Sequence, residues 1–167
     1  KGGYVSVPVV IGAWMARVPV VMHESDVSPG LATRVCGKFA KKMLLSWGES
    51  SIGNPIRAWI LKGNREKGLK FLGRAAGHDN SWRDKPVLLV MGGSTGAQFI
   101  NEMIWQSLPE LLKFCNVAHV TGKGKGGAAG ALKGYKSFEY LDKELADVYA
   151  ISDIIVSRAG ANSLSEI

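Results

Sequence analysis

The most constraining feature of this sequence is an apolar run that leads directly into glycines and then into a helix-like stretch. Residues 87–91, VLLVM, form a continuous apolar segment of the kind that is buried on both faces of a parallel sheet. Residues 92–96, GGSTG, provide a tight loop, and residues 97–114 carry apolar side chains at helical spacing. This order of strand, glycine loop and helix predicts a doubly wound α/β fold.

Similar patterns on both sides of this segment predict further elements. Strands are predicted at residues 19–23, 41–47, 117–121 and 153–157, and helices at residues 31–42, at residues 143–151 and from residue 162 or 163 onward. A turn at residues 53–55 opens a polar, basic stretch rich in glycine and asparagine that continues to Pro86. We therefore expect a first domain over residues 1–57, a basic connecting segment over residues 58–84 and a second domain over residues 85–167.

The composition is typical of a globular protein, because 46% of the residues are hydrophobic and 21% are charged. The longest apolar stretch, residues 5–16, is interrupted by polar and helix-breaking residues and is shorter than the roughly 20 residues of a transmembrane helix. The first residues lack the order of an export signal, which predicts a cytoplasmic location. Cys36 and Cys115 have neither CxxC spacing nor a neighbouring histidine cluster, so we expect no disulfide framework and no structural zinc site. We also expect no cofactor.

The formal net charge of +7 is concentrated in one part of the chain. Residues 57–85 contain eight basic and three acidic residues, which gives this stretch a net charge of +5. Such an excess suits nucleic acid, anionic lipid or a phosphorylated ligand, and it equally suits the solvated face of a helix. The solvated face is the simpler interpretation, and we expect no nucleic-acid partner.

The glycine loop is the first candidate site. Gly92, Gly93 and Gly96 let the main chain approach an anion closely, and the amides of the following helix point outward at the positive end of its dipole. Ser94 adds a hydroxyl donor. The loop has neither the GK[ST] ending of the nucleotide P-loop nor the spacing of the dinucleotide fingerprint GxGxxG. An anion site and a tight turn without a ligand both stay open on this evidence.

A second unit of strand, small-residue loop and helix ends the chain with SRAGANSLSE, residues 157–166. Ser163 and Glu166 have the spacing of a capping box, in which two side chains satisfy the first amides of a helix. In the alternative, the loop main chain binds phosphate and Glu166 accepts hydrogen bonds from sugar hydroxyls. Spacing alone does not separate these interpretations.

The third candidate is HESD, residues 23–26, which directly follows a predicted strand. Proteins of the α/β class place ligand-binding groups at the carboxyl ends of their strands. His23, Glu24 and Asp26 can supply a general base or hydrogen bonds to sugar hydroxyls. A polar loop with one histidine bonded to the main chain explains the same residues. No second histidine lies at metal-ligand spacing, so we expect no metal here.

Six segments together resemble the signatures of the MurG family of glycosyltransferases, in order and at suitable separations. They are GGYVSVP at residues 2–8, HESDVSPGLATR at 23–34, GNPIR at 53–57, VMGGSTGA at 90–97, HVTGKG at 119–124 and SRAGANSLSE at 157–166. The resemblance covers essentially the whole chain, and several motifs in register are far more specific than one glycine loop. HESD departs from the HEQN that is common in the family, so Asp26 stands where many members have an asparagine.

The resemblance implies a GT-B fold of two Rossmann-like domains, each only partly present. Residues 1–57 would be the later part of the N-terminal, acceptor and membrane-side domain, and residues 85–167 the earlier part of the C-terminal, UDP-sugar-binding domain. The implied reaction is an inverting transfer of N-acetylglucosamine from UDP-N-acetylglucosamine to undecaprenyl-diphosphate-linked muramoyl-pentapeptide, in bacterial peptidoglycan synthesis. The implied partners are these two substrates and an anionic membrane surface, with peripheral attachment to the cytoplasmic face of the cell membrane.

Matched motif by motif, the resemblance also assigns the donor-binding residues. Arg57 would neutralise the departing diphosphate, Ser94 would bind the donor phosphate and Leu141 would lie beside the uracil. Glu166 would hold the ribose hydroxyls. The rest of the last motif would add main-chain and hydroxyl contacts through Ala161, Asn162, Ser163, Leu164 and Ser165.

In the first domain, His23 and Glu24 are the candidate catalytic groups near the acceptor, and Asp26 is a further donor contact. Two other functions stay open. A related glycosyltransferase would use the same donor-binding half to glycosylate a diacylglycerol lipid, because acceptor choice is encoded in the other half. A non-catalytic fragment that binds UDP-sugar weakly would carry the same motifs.

Overall fold

The computed structural model describes residues 3–49, 51–74, 81–93, 97–126 and 132–167, and the chain divides into two compact units. Unit 1 is Lys1–Ile56 and unit 2 is Arg57–Ile167. Each unit is built on a parallel sheet of its own, as the strand, loop and helix pattern predicts for an α/β protein.

Unit 1 alternates helix and strand, with the predicted strand, helix and strand following a first helix. Its elements are α1 (Ser6–Met15), β1 (Val21–Glu24), α2 (Leu31–Gly37) and β2 (Lys42–Leu45). The two strands pair in parallel, with Val21 opposite Lys42 and Glu24 opposite Leu45. Val10 of α1, Met22 of β1 and Cys36 of α2 are buried together and form the centre of a small core.

Helix α2 is shorter than the helix predicted over residues 31–42. It ends at Gly37, and the main-chain amide of Lys41 donates to the carbonyl oxygen of Val20 at 2.8 Å. That hydrogen bond draws the chain to the sheet, where β2 begins at Lys42. The predicted helix was therefore wrong in its last turn, because it included the connection to the next strand.

Unit 2 contains a four-stranded, wholly parallel sheet in the order β5-β4-β3-β6. The strands are β3 (Val87–Met91), β4 (Asn116–Val120), β5 (Tyr135–Phe138) and β6 (Ile154–Ser157). The helices are α3 (Arg65–Arg74), α4 (Ser81–Asp84), α5 (Gln98–Phe114), α6 (Glu144–Ile151) and α7 (Ala161–Glu166), preceded by the 3-10 helix Ala58–Lys62. From β3 the chain continues to β4 and β5 on one side of β3, and it then crosses to β6 on the other side. The carboxyl ends of β3 and β6 therefore form a topological switch point.

Both faces of this sheet are covered, as VLLVM predicts. Leu88 and Val90 lie in a buried cluster with side chains of α5, and Val87 and Leu89 lie in a second cluster with side chains of α6. Alternate residues of a strand point to opposite faces, so the two clusters are the two sides of the sheet. Helices on both faces of a parallel sheet are the doubly wound arrangement.

Residues 58–84, expected to be a connecting segment, contribute helices to the second cluster. Its buried members from this segment are Ile60, Leu69, Leu72 and Trp82. Helix α3 approaches α6 so closely at Gly68 that a Cβ atom there would collide with the main-chain oxygen of Asp147. The basic side chains Arg65, Lys67 and Lys70 are exposed, as expected for a solvated helix face.

Candidate active site

The four strands of unit 2 are parallel, so the segments that follow them meet at one edge of the sheet. The described residues after β3, β4, β5 and β6 are 92–93, 121–126, 139–143 and 158–160. Doubly wound folds bind ligands at this edge, which we call the unit 2 carboxyl edge. No group of three or more histidine, cysteine, aspartate or glutamate side chains in the described part of the chain is arranged to hold a metal.

The first two glycines of the glycine loop directly follow β3. Gly92 is buried, and Gly93 has a φ angle of +84°, which residues with a Cβ atom rarely adopt. Ser94 and Gly96 lie outside the described residues. Helix α5 begins behind Ala97, whose side chain cannot accept a hydrogen bond from the first-turn amides. The start of a 17-residue helix therefore lies at the unit 2 carboxyl edge.

Arg57 and Glu166, which the sequence assigns to different parts of a ligand, bind each other. Nε of Arg57 donates to Oε1 of Glu166 at 2.8 Å, and Nη2 donates to Oε2 at 2.6 Å. The Arg57 side chain is 40% exposed and the Glu166 side chain is 12% exposed. The guanidinium carbon also lies 4.7 Å from the centre of the Trp59 ring. This two-point ion pair fixes the direction of the guanidinium as well as its position.

The ion pair shifts the pKa values of both its members and adds to the shift of a neighbouring tyrosine. The hydrogen bond from Arg57 lowers the pKa of Glu166 although burial opposes it, and the hydrogen bond to Glu166 raises the pKa of Arg57. Burial and then the charge of Glu166 raise the pKa of Tyr149. The Tyr149 hydroxyl donates to Sδ of Met91 at 3.2 Å. Tyr149, which the sequence analysis did not single out, thus lies between the end of β3 and the ion pair.

The capping-box interpretation of the last motif is wrong. Helix α7 begins at Ala161 behind Gly160, which places Ser163 inside the first turn instead of at the cap. Glu166 is bonded to Arg57. The spacing of Ser163 and Glu166 fits a capping box, but the helix starts before Ser163, so the two side chains are not at the required positions.

The remaining predicted donor contacts differ in how accessible they are. Asn162 and Leu164 of α7 are exposed, whereas the Ser165 hydroxyl donates to the carbonyl oxygen of Ala161 at 2.8 Å. Leu141 is 4% exposed, and its side chain packs in the core of unit 2. A ligand at the loop after β5, residues 139–143, would therefore contact exposed groups beside Leu141 before it reached the leucine side chain.

In unit 1, HESD lies at the carboxyl end of β1, as predicted. Glu24 is buried, and its Oε1 accepts the main-chain amides of Ser25 at 2.8 Å and Asp26 at 3.1 Å. Burial acts to raise the pKa of Glu24, but hydrogen bonds from the Thr33 side chain and these amides, with His23 nearby, leave the pKa below its usual value. The carboxylate is ionised at neutral pH and holds its own loop in shape.

His23 contacts the main chain, as the polar-loop interpretation predicts, and also a serine side chain that the sequence did not indicate. Its Nε2 lies 3.2 Å from the carbonyl oxygen of Gly53 and 3.0 Å from Oγ of Ser46. A carbonyl oxygen only accepts, so we assign the proton to Nε2. Nδ1 is then the acceptor nitrogen, and it is buried without a hydrogen-bond partner among the described residues. HESD therefore contacts Gly53, the first residue of GNPIR, within unit 1. Asp26 is exposed on the same loop.

A buried polar network in unit 2 was also missed. His119 is fully buried, with Nε2 at 3.0 Å from Oδ1 of Asn101 and Nδ1 at 3.2 Å from the Tyr135 hydroxyl. Asn101 donates to the carbonyl oxygen of Thr121 at 2.9 Å, and the Trp105 indole donates to the Tyr135 hydroxyl at 3.0 Å. Asn101 therefore presents its oxygen to His119, which donates from Nε2. Burial lowers the pKa of His119 to about 4, so this histidine is neutral and joins α5 to β4 and β5.

Two family models match the chain in succession. The glycosyltransferase family 28 N-terminal domain matches residues 1–45, and the glycosyltransferase family 28 C-terminal domain matches residues 87–167. The first match lies within unit 1 and the second within unit 2. The chain therefore carries parts of both domains of this family in the family's order.

Curated relatives match nearly the whole chain. A Bacillus cereus protein named UDP-N-acetylglucosamine--N-acetylmuramyl-(pentapeptide) pyrophosphoryl-undecaprenol N-acetylglucosamine transferase 2 is 48% identical over 99% of this chain and 48% of its own length. A Legionella pneumophila protein of the same name, without the final number, is 46% identical over 100% of this chain and 47% of its own length. The chain thus spans about half the length of the curated relatives it matches.

Among solved structures, the crystal structure of Acinetobacter baumannii MurG is similar. The TM-score is 0.64 at 22% sequence identity, over 99% of this chain and 47% of that chain. At this identity the likeness shows the fold alone, which is the α/β fold of GT-B type that the sequence predicts. With the domain matches and the relatives beside it, the conclusion is that the chain belongs to glycosyltransferase family 28, in its MurG group.

Proposed function

We propose that this protein transfers N-acetylglucosamine from UDP-N-acetylglucosamine to undecaprenyl-diphosphate-linked muramoyl-pentapeptide. The observation that carries the proposal is the meeting of Arg57 and Glu166 at the unit 2 carboxyl edge. The first is a fixed cation suited to a diphosphate, and the second is an anion suited to the hydroxyls of a ribose. The names of the relatives and the family 28 domain matches support the same reaction.

The proposed donor site lies at the unit 2 carboxyl edge. The turn at Gly93 and the amides at the start of α5 offer hydrogen bonds to phosphate oxygens, and Ser94 would add its hydroxyl. Arg57 would bind the diphosphate, and Glu166 would bind the ribose. The uracil would lie against the loop that contains Leu141. Helix α7 would add contacts from Ala161, Asn162, Ser163, Leu164 and Ser165.

The proposed reaction is an inverting displacement. The acceptor hydroxyl gives its proton to a general base, and its oxygen bonds to the anomeric carbon of the donor sugar. The bond from that carbon to the diphosphate oxygen breaks, and its electron pair leaves with UDP as negative charge on the terminal phosphate. Arg57 and the amides at the start of α5 stabilise this charge as it develops.

We assign the acceptor-side roles to HESD in unit 1. His23 is a candidate catalytic group near the acceptor, where its Nε2 donates to the carbonyl oxygen of Gly53 and lies 3.0 Å from the Ser46 hydroxyl. The Glu24 carboxylate is bonded to the amides of its own loop, so its proposed role is to position His23 and Asp26. Asp26 is a proposed ligand contact that accepts hydrogen bonds, whereas an asparagine would also donate them.

We further propose that α1 brings the protein to the membrane surface, because the lipid of the acceptor stays in the bilayer. Helix α1 and its flanks expose the large apolar side chains Tyr4, Val5, Val9, Trp14, Met15 and Val18. An apolar surface of this kind suits the boundary between lipid headgroups and acyl chains. Within the described residues no helix combines the length and apolar character needed to cross a bilayer. The net charge of +7 favours anionic lipid.

The test is a calorimetric titration of UDP-N-acetylglucosamine into the protein expressed from its complete reading frame, followed by a transfer assay with the lipid acceptor. Saturable binding that Arg57→Ala and Ser94→Ala weaken would support the donor site. Lys113→Ala is the control, since Lys113 pairs with Glu110 on an exposed surface of α5. A well-folded protein that binds no UDP-sugar would refute the proposal.

A further inference from the structure

In the free protein, the guanidinium proposed to receive a diphosphate is already occupied. Two of its N–H groups donate to Glu166 over 2.8 and 2.6 Å, and one of its faces lies on the Trp59 ring. The Glu166 side chain is less exposed than the Arg57 side chain, at 12% against 40%. An anion that reaches Arg57 from solvent must therefore compete with Glu166.

For an anion without ribose hydroxyl groups, replacing Glu166 as the partner of Arg57 is unfavourable. Phosphate or pyrophosphate would take hydrogen bonds from Arg57 and leave the Glu166 carboxylate largely desolvated beside a new negative charge. Stranding one member of a desolvated ion pair costs more than the pair itself contributes. The free-state pair therefore opposes ligands that offer nothing to Glu166.

A nucleoside diphosphate can replace both partners of the ion pair, because it brings hydroxyl donors for Glu166 together with phosphates for Arg57. The 2′- and 3′-hydroxyls of a ribose can donate to the two oxygens of one carboxylate, in place of the two N–H donors of Arg57. Both members of the ion pair then gain a ligand partner in the same binding step. Neither charge is left without a hydrogen-bond partner.

Tyr149 places the ion pair close to the glycine loop. Its hydroxyl donates to Met91, the last residue of β3, which directly precedes Gly92. The charges of Glu166 and Arg57 both act on the same phenol, so the pair lies near the end of β3. Arg57 and the start of the glycine loop are thus neighbours of the same tyrosine.

We propose that Glu166 is a specificity-determining residue, which by holding Arg57 in the free state excludes phosphate ligands that lack a ribose diol. The inference rests on the proposed donor site and adds to it a rule for choosing the ligand. The chemical class that satisfies the rule is a nucleoside diphosphate with both ribose hydroxyls present.

The test is a set of calorimetric titrations of the full-length protein and its Glu166→Gln variant with UDP, 2′,3′-dideoxyuridine diphosphate and pyrophosphate. Glu166→Gln should bind pyrophosphate about tenfold more tightly than the wild type, because a charge-assisted competitor for Arg57 is gone. Removing the two ribose hydroxyls should weaken binding about tenfold in the wild type and much less in the variant. Unchanged pyrophosphate affinity in Glu166→Gln would overturn the inference.

The matched control is Glu110→Gln, which removes one carboxylate from an exposed ion pair of α5 and gives the same change in net charge. An equal gain of pyrophosphate affinity in this control would overturn the inference in favour of a general charge effect. Glu166→Asp is the second variant: it keeps the charge and shortens the reach, so it should keep pyrophosphate binding weak and reduce the preference for the diol.

Failure of the inference and failure of the proposed function are distinguishable. Wild-type protein that binds UDP, together with a Glu166→Gln variant that gains no pyrophosphate affinity, would leave the donor site in place and remove the selection rule. Folded wild-type protein that binds no UDP would refute the proposed function. A gain of pyrophosphate affinity in Glu166→Gln would then still support competition for Arg57.

Discussion

The carboxyl edges of the two sheets use their charged groups in different ways. In unit 1, the Glu24 carboxylate accepts the amides of the next two residues, so its partners belong to its own loop. In unit 2, Arg57 and Glu166 are 109 positions apart and bind side chain to side chain. A carboxylate bonded to its own loop cannot be released without disrupting that loop, whereas a pair of side chains can be exchanged for ligand groups. The comparison separates a structural charge from charges available for binding.

The largest effect is expected from Arg57→Ala. The transfer rate should fall by about 10²–10³-fold, because negative charge on the departing UDP loses a preorganised partner. The thermal midpoint should also fall, because the Glu166 carboxylate, whose side chain is only 12% exposed, loses its charged partner. Arg57→Lys should be intermediate, because it keeps the charge and loses the planar fork. A transfer rate close to that of the wild type would class Arg57 with Glu24 as a structural charge.

Acid should weaken unit 2 through His119. Its pKa in the fold is about 4 and its ordinary value is 6.5, so the unfolded chain binds the proton more readily. The stabilisation is complete above pH 6.5 and is lost as the pH falls from 6.5 to 4, with a total loss of about 3 kcal/mol. Urea unfolding at several pH values measures this loss.

The control for this prediction is His119→Gln, which should be less stable at neutral pH and should lack the change between pH 6.5 and 4. Glu24 and Glu166 have lowered pKa values, so their contributions are lost only below their ordinary value of 4.5. Loss of stability above pH 4.5 therefore reports the histidine more than the two carboxylates. An identical pH profile in His119→Gln would contradict the assignment.

Removing each carboxylate in turn tests the comparison directly. Glu24→Ala should lower the free energy of unfolding of unit 1 by about 2 kcal/mol, because two amides of the loop lose their buried acceptor. Glu166→Ala should cost about 1 kcal/mol or less, since its partner Arg57 is 40% exposed and can reach water. Chemical denaturation and UDP titration of both variants supply the readout. Equal costs in stability would remove the distinction between the two edges.

Local pattern was sufficient to predict the central elements. VLLVM specifies a buried strand through residue type alone, and β3 confirms it. The positive φ angle of Gly93 fits the predicted glycine loop, whose residues 94–96 lie outside the described part of the chain. The strand β5 was missed because its four residues alternate weakly and depend on pairing with β4. Helix α3 was missed because its basic, glycine-containing sequence is typical of a loop, and its burial is provided by α6.

The sequence supplied candidate site residues one by one, but not their arrangement. The family resemblance nominated Arg57 and Glu166 separately, and no short-range pattern joins residues from opposite ends of unit 2. The network around His119 was missed for the same reason, because it combines side chains from α5, β4 and β5. Contacts between distant segments depend on strand order and helix packing, which single-sequence periodicity does not contain.

The smallest effect is expected at Arg17 of unit 1, whose backbone conformation is unusual for a residue with a side chain. It has a φ angle of +57°, the one positive value at a non-glycine position in the described part of the chain. Its amide donates to the carbonyl oxygen of Trp14 at 3.0 Å, and the amide of Val18 donates to that of Ala13 at 2.8 Å, which is a helix ending that favours glycine. Arg17→Gly should therefore stabilise unit 1 by about 0.5–1 kcal/mol.

The same substitution tests the membrane proposal, because Arg17 directly follows the exposed apolar residues of α1. Loss of its charge should weaken sedimentation with anionic vesicles roughly fivefold, whereas Arg17→Lys should keep both the strained backbone and the vesicle binding. A gain in stability with a loss of vesicle binding would mean that unit 1 retains a strained arginine for contact with lipid. A gain in stability with unchanged vesicle binding would remove Arg17 from the proposed membrane surface and leave that contact to the apolar side chains of α1.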